Sequence, residues 1–133
     1  MINSIELEII KKYINKDKQE RIIWEFGNSK KRDNIMIERF AGPDIFNKNC
    51  LQLIEYMPPD VMEKYLFQLS RAKDIYFIGQ DYIGELPLKQ AINRVNTGEI
   101  CIIYCGNGIG YYQGEREYGN PPRFLLLKNE SLI

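Results

Sequence analysis

Two short apolar runs in the second half of the chain constrain the fold more than any other feature. Residues 75–78 read IYFI, and residues 99–105 read EICIIYC. Apolar runs of this length, rich in isoleucine and tyrosine, predict buried β-strands. Any fold for this chain must therefore place both segments inside a covered sheet.

The segment between these runs predicts a helix. Pro87 suits the start of a helix and Thr97-Gly98 suits its end. A strand–helix–strand unit of this kind is typical of parallel strands joined by a right-handed crossover. The apolar residues at helical spacing are Leu88, Ala91, Ile92 and Val95.

The N-terminal segment predicts a helix over residues 4–15. Asn3 and Glu6 have the spacing of a capping box, and two lysines occupy the last turn, where the helix dipole favours cations. The apolar stripe expected to face the core consists of Ile5, Ile9, Ile10, Tyr13 and Ile14.

Two β-rich runs, residues 21–26 and 35–40, predict a β-hairpin with a polar tip at 27–34. Trp24 is expected in the core or on the sheet face. The basic run at residues 29–32 is interpreted as a solvated tip, with a phosphate-binding arm as the alternative. The residues expected to face the core are Ile23, Phe26, Ile35 and Ile37.

Two further helices are predicted, one from Asp44 to the Pro58-Pro59 pair and one from Asp60 to about residue 72. The first segment has apolar residues at i, i+4, i+7 and i+11, and the second has apolar residues along one helical face. The first stripe consists of Phe46, Cys50, Leu53, Ile54 and Met57, and the second of Val61, Tyr65, Leu66, Leu69 and Ala72.

The remaining elements are a glycine-rich turn at 106–110, a strand beginning at Tyr111 and a last strand over 123–127. Together these patterns predict one α+β domain spanning residues 1–133. Its sheet is expected to be mixed or antiparallel, with about five strands and about four helices packed on it. A chain of 133 residues is long enough to bury such a core.

Composition excludes several function classes. Histidine is absent, so this chain alone supplies no Ser-His-Asp or Cys-His enzyme and no histidine-ligated zinc site. Lys plus Arg equals Asp plus Glu at 18 each, which makes direct nucleic-acid binding unexpected. We expect no metal site and no cofactor.

The three cysteines predict no disulfide framework. Cys101 and Cys105 would lie ~13 Å apart on one strand, beyond disulfide reach. The charged, amphipathic N-terminus and the lack of a long apolar run predict a cytoplasmic protein without a leader or membrane span. Cys105 is the one candidate nucleophile, although packing in the core is the preferred interpretation for it.

The glycine turn is a candidate ligand loop. Gly106, Asn107, Gly108 and Gly110 follow a buried strand, as in loops that present backbone N–H groups to phosphate. The GxGxxG spacing of dinucleotide-binding loops is absent, however, and the residues that follow favour a strand rather than a helix. A hairpin with Asn107-Gly108 in a type I′ turn is therefore preferred, with nucleotide or phosphorylated small-molecule binding as the alternative.

The loops of the second half are rich in tyrosine and carboxylate groups, a composition typical of protein interfaces. Carboxylate pairs there could serve acid–base catalysis, but surface recognition is preferred. We expect the loops at 79–85 and 106–122 to gather at one end of the sheet. The predicted partner-binding residues are Asp81, Tyr82, Glu85, Tyr111, Tyr112, Glu115, Arg116, Glu117 and Tyr118, with Tyr104 as a further tyrosine of the group.

These patterns predict a small protein that binds another protein and neutralises or regulates it. Bacterial immunity proteins that block a toxin, including nuclease-type toxins, and phage-encoded inhibitors have this size and class. The rivals are the nucleotide-binding domain or enzyme described above and an adaptor subunit that uses an exposed edge strand.

Overall fold

The apolar runs form the central strands of a six-stranded sheet in the computed structural model, which describes residues 2–117 and 119–128. The strands are β1 (Leu51–Leu53), β2 (Asp74–Gly79), β3 (Ile83–Pro87), β4 (Cys101–Gly106), β5 (Ile109–Gln113) and β6 (Arg123–Leu127). Their order is β1-β6-β5-β4-β2-β3, and all neighbours are antiparallel. The predicted α+β class is confirmed.

Helices cover both faces of this sheet. They are α1 (Ser4–Tyr13), α2 (Gln19–Gly27), α3 (Ser29–Arg32), α4 (Ile35–Arg39), α5 (Pro59–Ser70) and α6 (Leu88–Val95). Helices α1, α2 and α4 pack on the face that carries Tyr76, Tyr104 and Tyr112, whereas α3 has no buried residue. The last two pack on the face that carries Phe77 and Tyr111. This arrangement explains the unbroken apolar sequence of β4, whose successive side chains enter opposite cores.

Helix α1 forms as predicted and ends two residues early. The Asn3 side chain accepts a hydrogen bond from the Glu6 amide at 2.8 Å, and the Glu6 carboxylate accepts one from the Asn3 amide at 3.4 Å. This capping box is complete. The face of α1 with Ile9, Ile10 and Tyr13 is buried.

The Glu6 carboxylate is buried and fixes α1 to the sheet and to α3. Both terminal nitrogens of Arg32 donate to it, at 2.9 and 2.6 Å, and the Tyr76 hydroxyl donates at 2.6 Å. Burial acts to raise the pKa of Glu6, but Arg32 and Tyr76 outweigh burial and hold the pKa below its ordinary value. Arg32 is therefore partly buried by this ion pair, whereas its neighbours Lys30 and Lys31 in the basic run are exposed.

The predicted hairpin over residues 21–40 is wrong, because the segment forms α2, α3 and α4. Ile22 and Phe26, four residues apart, enter the core together. The Asn28 side chain caps α3 by accepting from the amides of residues 30 and 31. The buried Glu25 carboxylate accepts two hydrogen bonds from Arg39, both 2.8 Å, which joins α2 to α4. Tertiary packing thus overrides β-propensity.

Two residues expected in the hairpin core lie at the surface. Trp24 is 55% exposed and Ile37 is 54% exposed. A helical period places Trp24 nearly opposite the buried Ile22, whereas a strand would have placed the two on one face.

The predicted helix over 44–57 is also wrong. Short 3-10 turns at Pro43–Ile45 and Lys48–Cys50 bury Ile45, Phe46 and Cys50, and the chain then enters β1. Strand β1 pairs with β6, so its conformation depends on residues far away in the sequence.

Helix α5 is confirmed, although its buried face differs from the predicted one. Met62, Leu66 and Ser70 face the core, whereas Val61 and Leu69 are exposed. Both sets fit helical spacing, and they lie on neighbouring sides of the same helix.

The strand–helix–strand unit is not parallel. Strand β3, which sequence reasoning missed, forms a hairpin with β2 before α6 begins, so β4 returns antiparallel to β2. Helix α6 itself buries Leu88, Ala91, Ile92 and Val95 as predicted.

We expect Glu6→Gln to destabilise the protein by about 3 kcal/mol at neutral pH, because an arginine loses its charged partner inside the fold. Urea unfolding measures this, and Glu55→Gln, at an exposed carboxylate, should cost less than about 0.5 kcal/mol.

The effect should also depend on pH. The folded-state pKa of Glu6 lies below the unfolded value near 4.5, so the stabilisation is present above that pH and is lost as pH falls through the folded-state pKa. The difference between wild type and Glu6→Gln should therefore shrink in acid. A difference of constant size would contradict the role of the ionised carboxylate.

Candidate functional site

Two of the predicted partner-binding loops lie at the same end of the sheet. Cys101 of β4 pairs with Gly79 on one side and with Gln113 on the other. The β2–β3 turn begins just after Gly79, and the β5–β6 loop begins just after Gln113. Since β4 alone separates β2 from β5, the two loops leave the sheet only about 10 Å apart. Asp81 and Tyr82 therefore lie at the same end of the sheet as Glu115, Arg116 and Glu117. Tyr82 lies beside α6, whereas the two glutamates lie beside residues 41–43.

The exposed charges at this end are mostly negative. We call it the acidic end and define it by residues 54–56, 80–82, 94–100, 114–117 and 119–123. In these segments Glu55, Asp81, Glu115 and Glu117 are exposed, whereas Arg116 is the one exposed arginine. The end is therefore acidic although the chain as a whole has no net charge.

A fifth carboxylate at the acidic end, Glu99, is half-buried. Burial raises the pKa of Glu99 above its ordinary value, the charge of Asp81 adds to the rise, and Arg94 opposes it. Sequence reasoning missed both Glu99 and Arg94. Both residues could have been identified from their positions. Glu99 comes just before a buried strand, and Arg94 comes just before the last buried residue of α6.

Tyr82 is held in a fixed orientation at this end. Its ring is 37% exposed and lies against the Arg94 guanidinium, 5.3 Å from the ring centroid. Its hydroxyl donates to the Glu85 carbonyl at 3.0 Å. An aromatic ring that is oriented before binding loses little entropy when a partner covers it.

Other predicted residues lie elsewhere. Tyr111 and Tyr112 were also predicted to contact a partner, but both are fully buried and present no side chain at the surface of this fold. The Tyr111 hydroxyl donates to the Gln113 side chain at 2.8 Å, and the Tyr112 hydroxyl donates to the Phe40 carbonyl at 2.6 Å. Glu85 is exposed but projects from the opposite sheet face to Tyr82. Tyr118 lies outside the described residues.

Tyr104 also belongs to the interior. It is buried, and its hydroxyl is hydrogen-bonded to the Glu8 carboxylate and accepts from Lys12 at 2.9 Å. With the Tyr76 contacts, this makes the tyrosine hydroxyls of β2 and β4 the polar attachment points of α1.

The glycine turn lies at the other end of the sheet, so the expectation that all of 106–122 gathers beside 79–85 is wrong for residues 106–110. Asn107 and Gly108 have φ values of 55° and 77° and connect β4 to β5 directly, which confirms the predicted two-residue hairpin. A cleft of about 180 Å³ beside it is lined by Asp74, Glu85 and Tyr104, among others. Two carboxylates would repel a phosphate, so this geometry does not favour the nucleotide alternative.

None of the three cysteines has the environment of a nucleophile. Burial raises the pKa of Cys105 to about 11 and that of Cys101 further, and Cys50 is also buried. A buried thiol with a raised pKa is not ionised near neutral pH. The preferred interpretation of Cys105 as a packing residue is thus supported.

A wider groove of about 510 Å³ lies between α2, α4 and the following turn. Lys18, Arg21 and Arg39 line it opposite Asp17, Glu38 and Asp44. The buried Glu25 already accepts hydrogen bonds from Arg39 and Arg21. The charges of this groove are balanced within the fold, so it presents no preference for a charged ligand.

Known proteins provide no guide to this surface. No protein-family model, curated protein or solved structure matches the chain. In the described part of the chain, no helix is long and apolar enough to cross a membrane, and no cluster of three or more Cys, Asp or Glu side chains is suited to holding a metal ion.

A thiol reagent tests the cysteine environments. We expect the native protein to react negligibly near neutral pH, because all three thiols are buried and those of Cys101 and Cys105 are protonated. Unfolded protein should release three equivalents. Rapid reaction of one thiol in the native state would contradict the packing role.

Proposed function

We propose that this chain is a cytoplasmic protein-binding domain that neutralises or regulates another protein through its acidic end. The observation that carries the proposal is the convergence of the β2–β3 turn and the β5–β6 loop. It puts the exposed carboxylates Asp81, Glu115 and Glu117 at one end of the sheet, the end that also carries the oriented ring of Tyr82.

The negative charge of this surface favours a partner with a basic surface. An acidic patch on a protein without net charge complements a basic patch, and such complementarity sets association rate and specificity. A basic active site, such as that of a nuclease-type toxin, has this chemistry. Immunity proteins and phage-encoded inhibitors are therefore the classes that we favour.

The interior supports a binding role rather than an enzymatic one. The carboxylates Glu6 and Glu25 are occupied by arginines that join helices. The thiols of Cys101 and Cys105 have raised pKa values. Cys101 and Cys105 form no disulfide, which suits a reducing compartment.

Charge reversal tests this proposal. The wild-type protein and the double variant Glu115→Lys/Glu117→Lys serve as baits in extracts of the source organism, and retained proteins are quantified. Both side chains are exposed, so folding should be intact. We expect retention of a basic partner to fall about 100-fold, because two attractive contacts become repulsive.

Asp74→Lys/Glu85→Lys is the matched control. It makes the same change in net charge at exposed residues beside the cleft near the glycine turn. This variant should retain the partner as wild type does. Equal retention by all three baits would refute the role of the acidic end, and equal loss in both variants would show a response to net charge alone.

A further inference from the structure

Arg123 is a buried cation without an anionic partner in the described part of the chain. The residue is 6% exposed, and its Nε atom is buried with no hydrogen-bond acceptor. None of the ion pairs or side-chain hydrogen bonds among the described residues involves its guanidinium group. Burial of an uncompensated charge is costly, so this arrangement requires an explanation.

The two other buried charged residues in the described part of the chain, Glu6 and Glu25, are compensated. Glu6 receives two hydrogen bonds from Arg32, and Glu25 receives two from Arg39. The fold thus pairs an arginine with each buried carboxylate in two separate places. Arg123 departs from this rule, and it lies at the acidic end at the start of β6.

The surroundings of Arg123 hold the guanidinium in place without neutralising it. The Tyr56 ring stacks on it, with its centroid 4.7 Å from the central carbon. Gln113, which faces Arg123 in the register of β5 and β6, has its amide oxygen occupied by the Tyr111 hydroxyl. Its amide nitrogen donates to two backbone carbonyls. Gln113 therefore leaves the positive charge uncompensated.

The positive charge acts on neighbouring groups. Burial raises the pKa of Tyr111 and of Cys101, and Arg123 opposes both rises. Tyr56, which covers the guanidinium, is itself 49% exposed. Of the guanidinium nitrogens of Arg123, only Nε is both fully buried and without an acceptor, so the outer edge of the group lies next to a ring that solvent reaches.

We propose that Arg123 and Tyr56 form a binding site for a carboxylate group. A guanidinium presents a planar fork of N–H donors that matches a carboxylate in shape. A single positive charge is compensated by a monoanion, whereas a dianion such as phosphate would leave one negative charge in excess. The carboxylate is carried either by a free small molecule or by a segment of a protein.

Thermal unfolding in sodium acetate, compared with sodium chloride at equal ionic strength, tests the site. We expect the wild-type Tm to rise by about 4 °C at an acetate concentration ten times Kd. Sodium phosphate should produce a smaller rise. Absence of an acetate-specific rise would overturn the proposal.

Variants locate the effect. Arg123→Met should abolish the acetate response while retaining the wild-type Tm in chloride, because an apolar side chain of similar length replaces an uncompensated charge. Arg123→Lys, which keeps the charge without the planar fork of donors, should show a reduced acetate response.

Arg71→Met is the matched control. Arg71 also stacks on a ring, with its central carbon 5.9 Å from the Phe67 centroid, but it is exposed. An acetate response in Arg123→Met equal to that of wild type, or its loss in Arg71→Met, would overturn the assignment.

Retention of proteins from extracts, with Arg123→Met as a further bait, distinguishes the two sources of the carboxylate. If Arg123→Met loses the protein that wild type retains, that protein supplies the group. If it keeps that protein while losing the acetate response, the ligand is a free carboxylate. The site stands independently of the proposed function, because failure of the Glu115/Glu117 test leaves the acetate measurement unaffected.

Discussion

The burial of β4 on both faces is the constraint on which the rest of the architecture depends. Its side chains alternate between two hydrophobic cores, so neither face of the sheet centre can be left to solvent. The chain meets this requirement with helices from its first 40 residues on one face and with α5 and α6 on the other. The loops beyond the ends of the sheet remain for contacts with other molecules.

Polar contacts decide how the N-terminal layer is seated on this sheet. Apolar packing alone tolerates sliding and rotation of a helix, whereas charged hydrogen bonds require defined geometry. The Glu6 carboxylate accepts hydrogen bonds from both Tyr76 and Arg32. Glu8 and Lys12 are both hydrogen-bonded to the Tyr104 hydroxyl. Helix α1 is thus fixed at two points along its length, and α3 is drawn against it by Arg32.

Local patterns predicted the elements that depend on local interactions. The capping box at Asn3, the helix from Leu88 and the Asn107-Gly108 turn formed as their sequences indicated. Residues 21–40 were misassigned because a cap at Asn28 and ion pairs with distant residues select helices. β1 was misassigned because its pairing partner lies about 70 residues away.

The candidate surface was predictable only where its features follow from local sequence. Exposure of Asp81, Glu115 and Glu117 follows from their polar loops, and antiparallel pairing brings those loops together. The burial of Tyr111 and Tyr112 depends on helices that cover both faces of β5. Arg123 shares the inward alternation of Leu125 in β6, so period-two reasoning could have identified it as a buried charge.

The hydrogen bond from Tyr82 to the Glu85 carbonyl also affects how this protein behaves in concentrated solution. Strand β3 is an outer strand, and the alternation of hydrogen-bonded pairs in the β2–β3 hairpin directs the Glu85 backbone away from β2. Its carbonyl is already occupied by the hydroxyl, and Pro87 has no N–H to offer. A second β-strand would find few available partners along this edge, which protects the sheet from edge-to-edge aggregation.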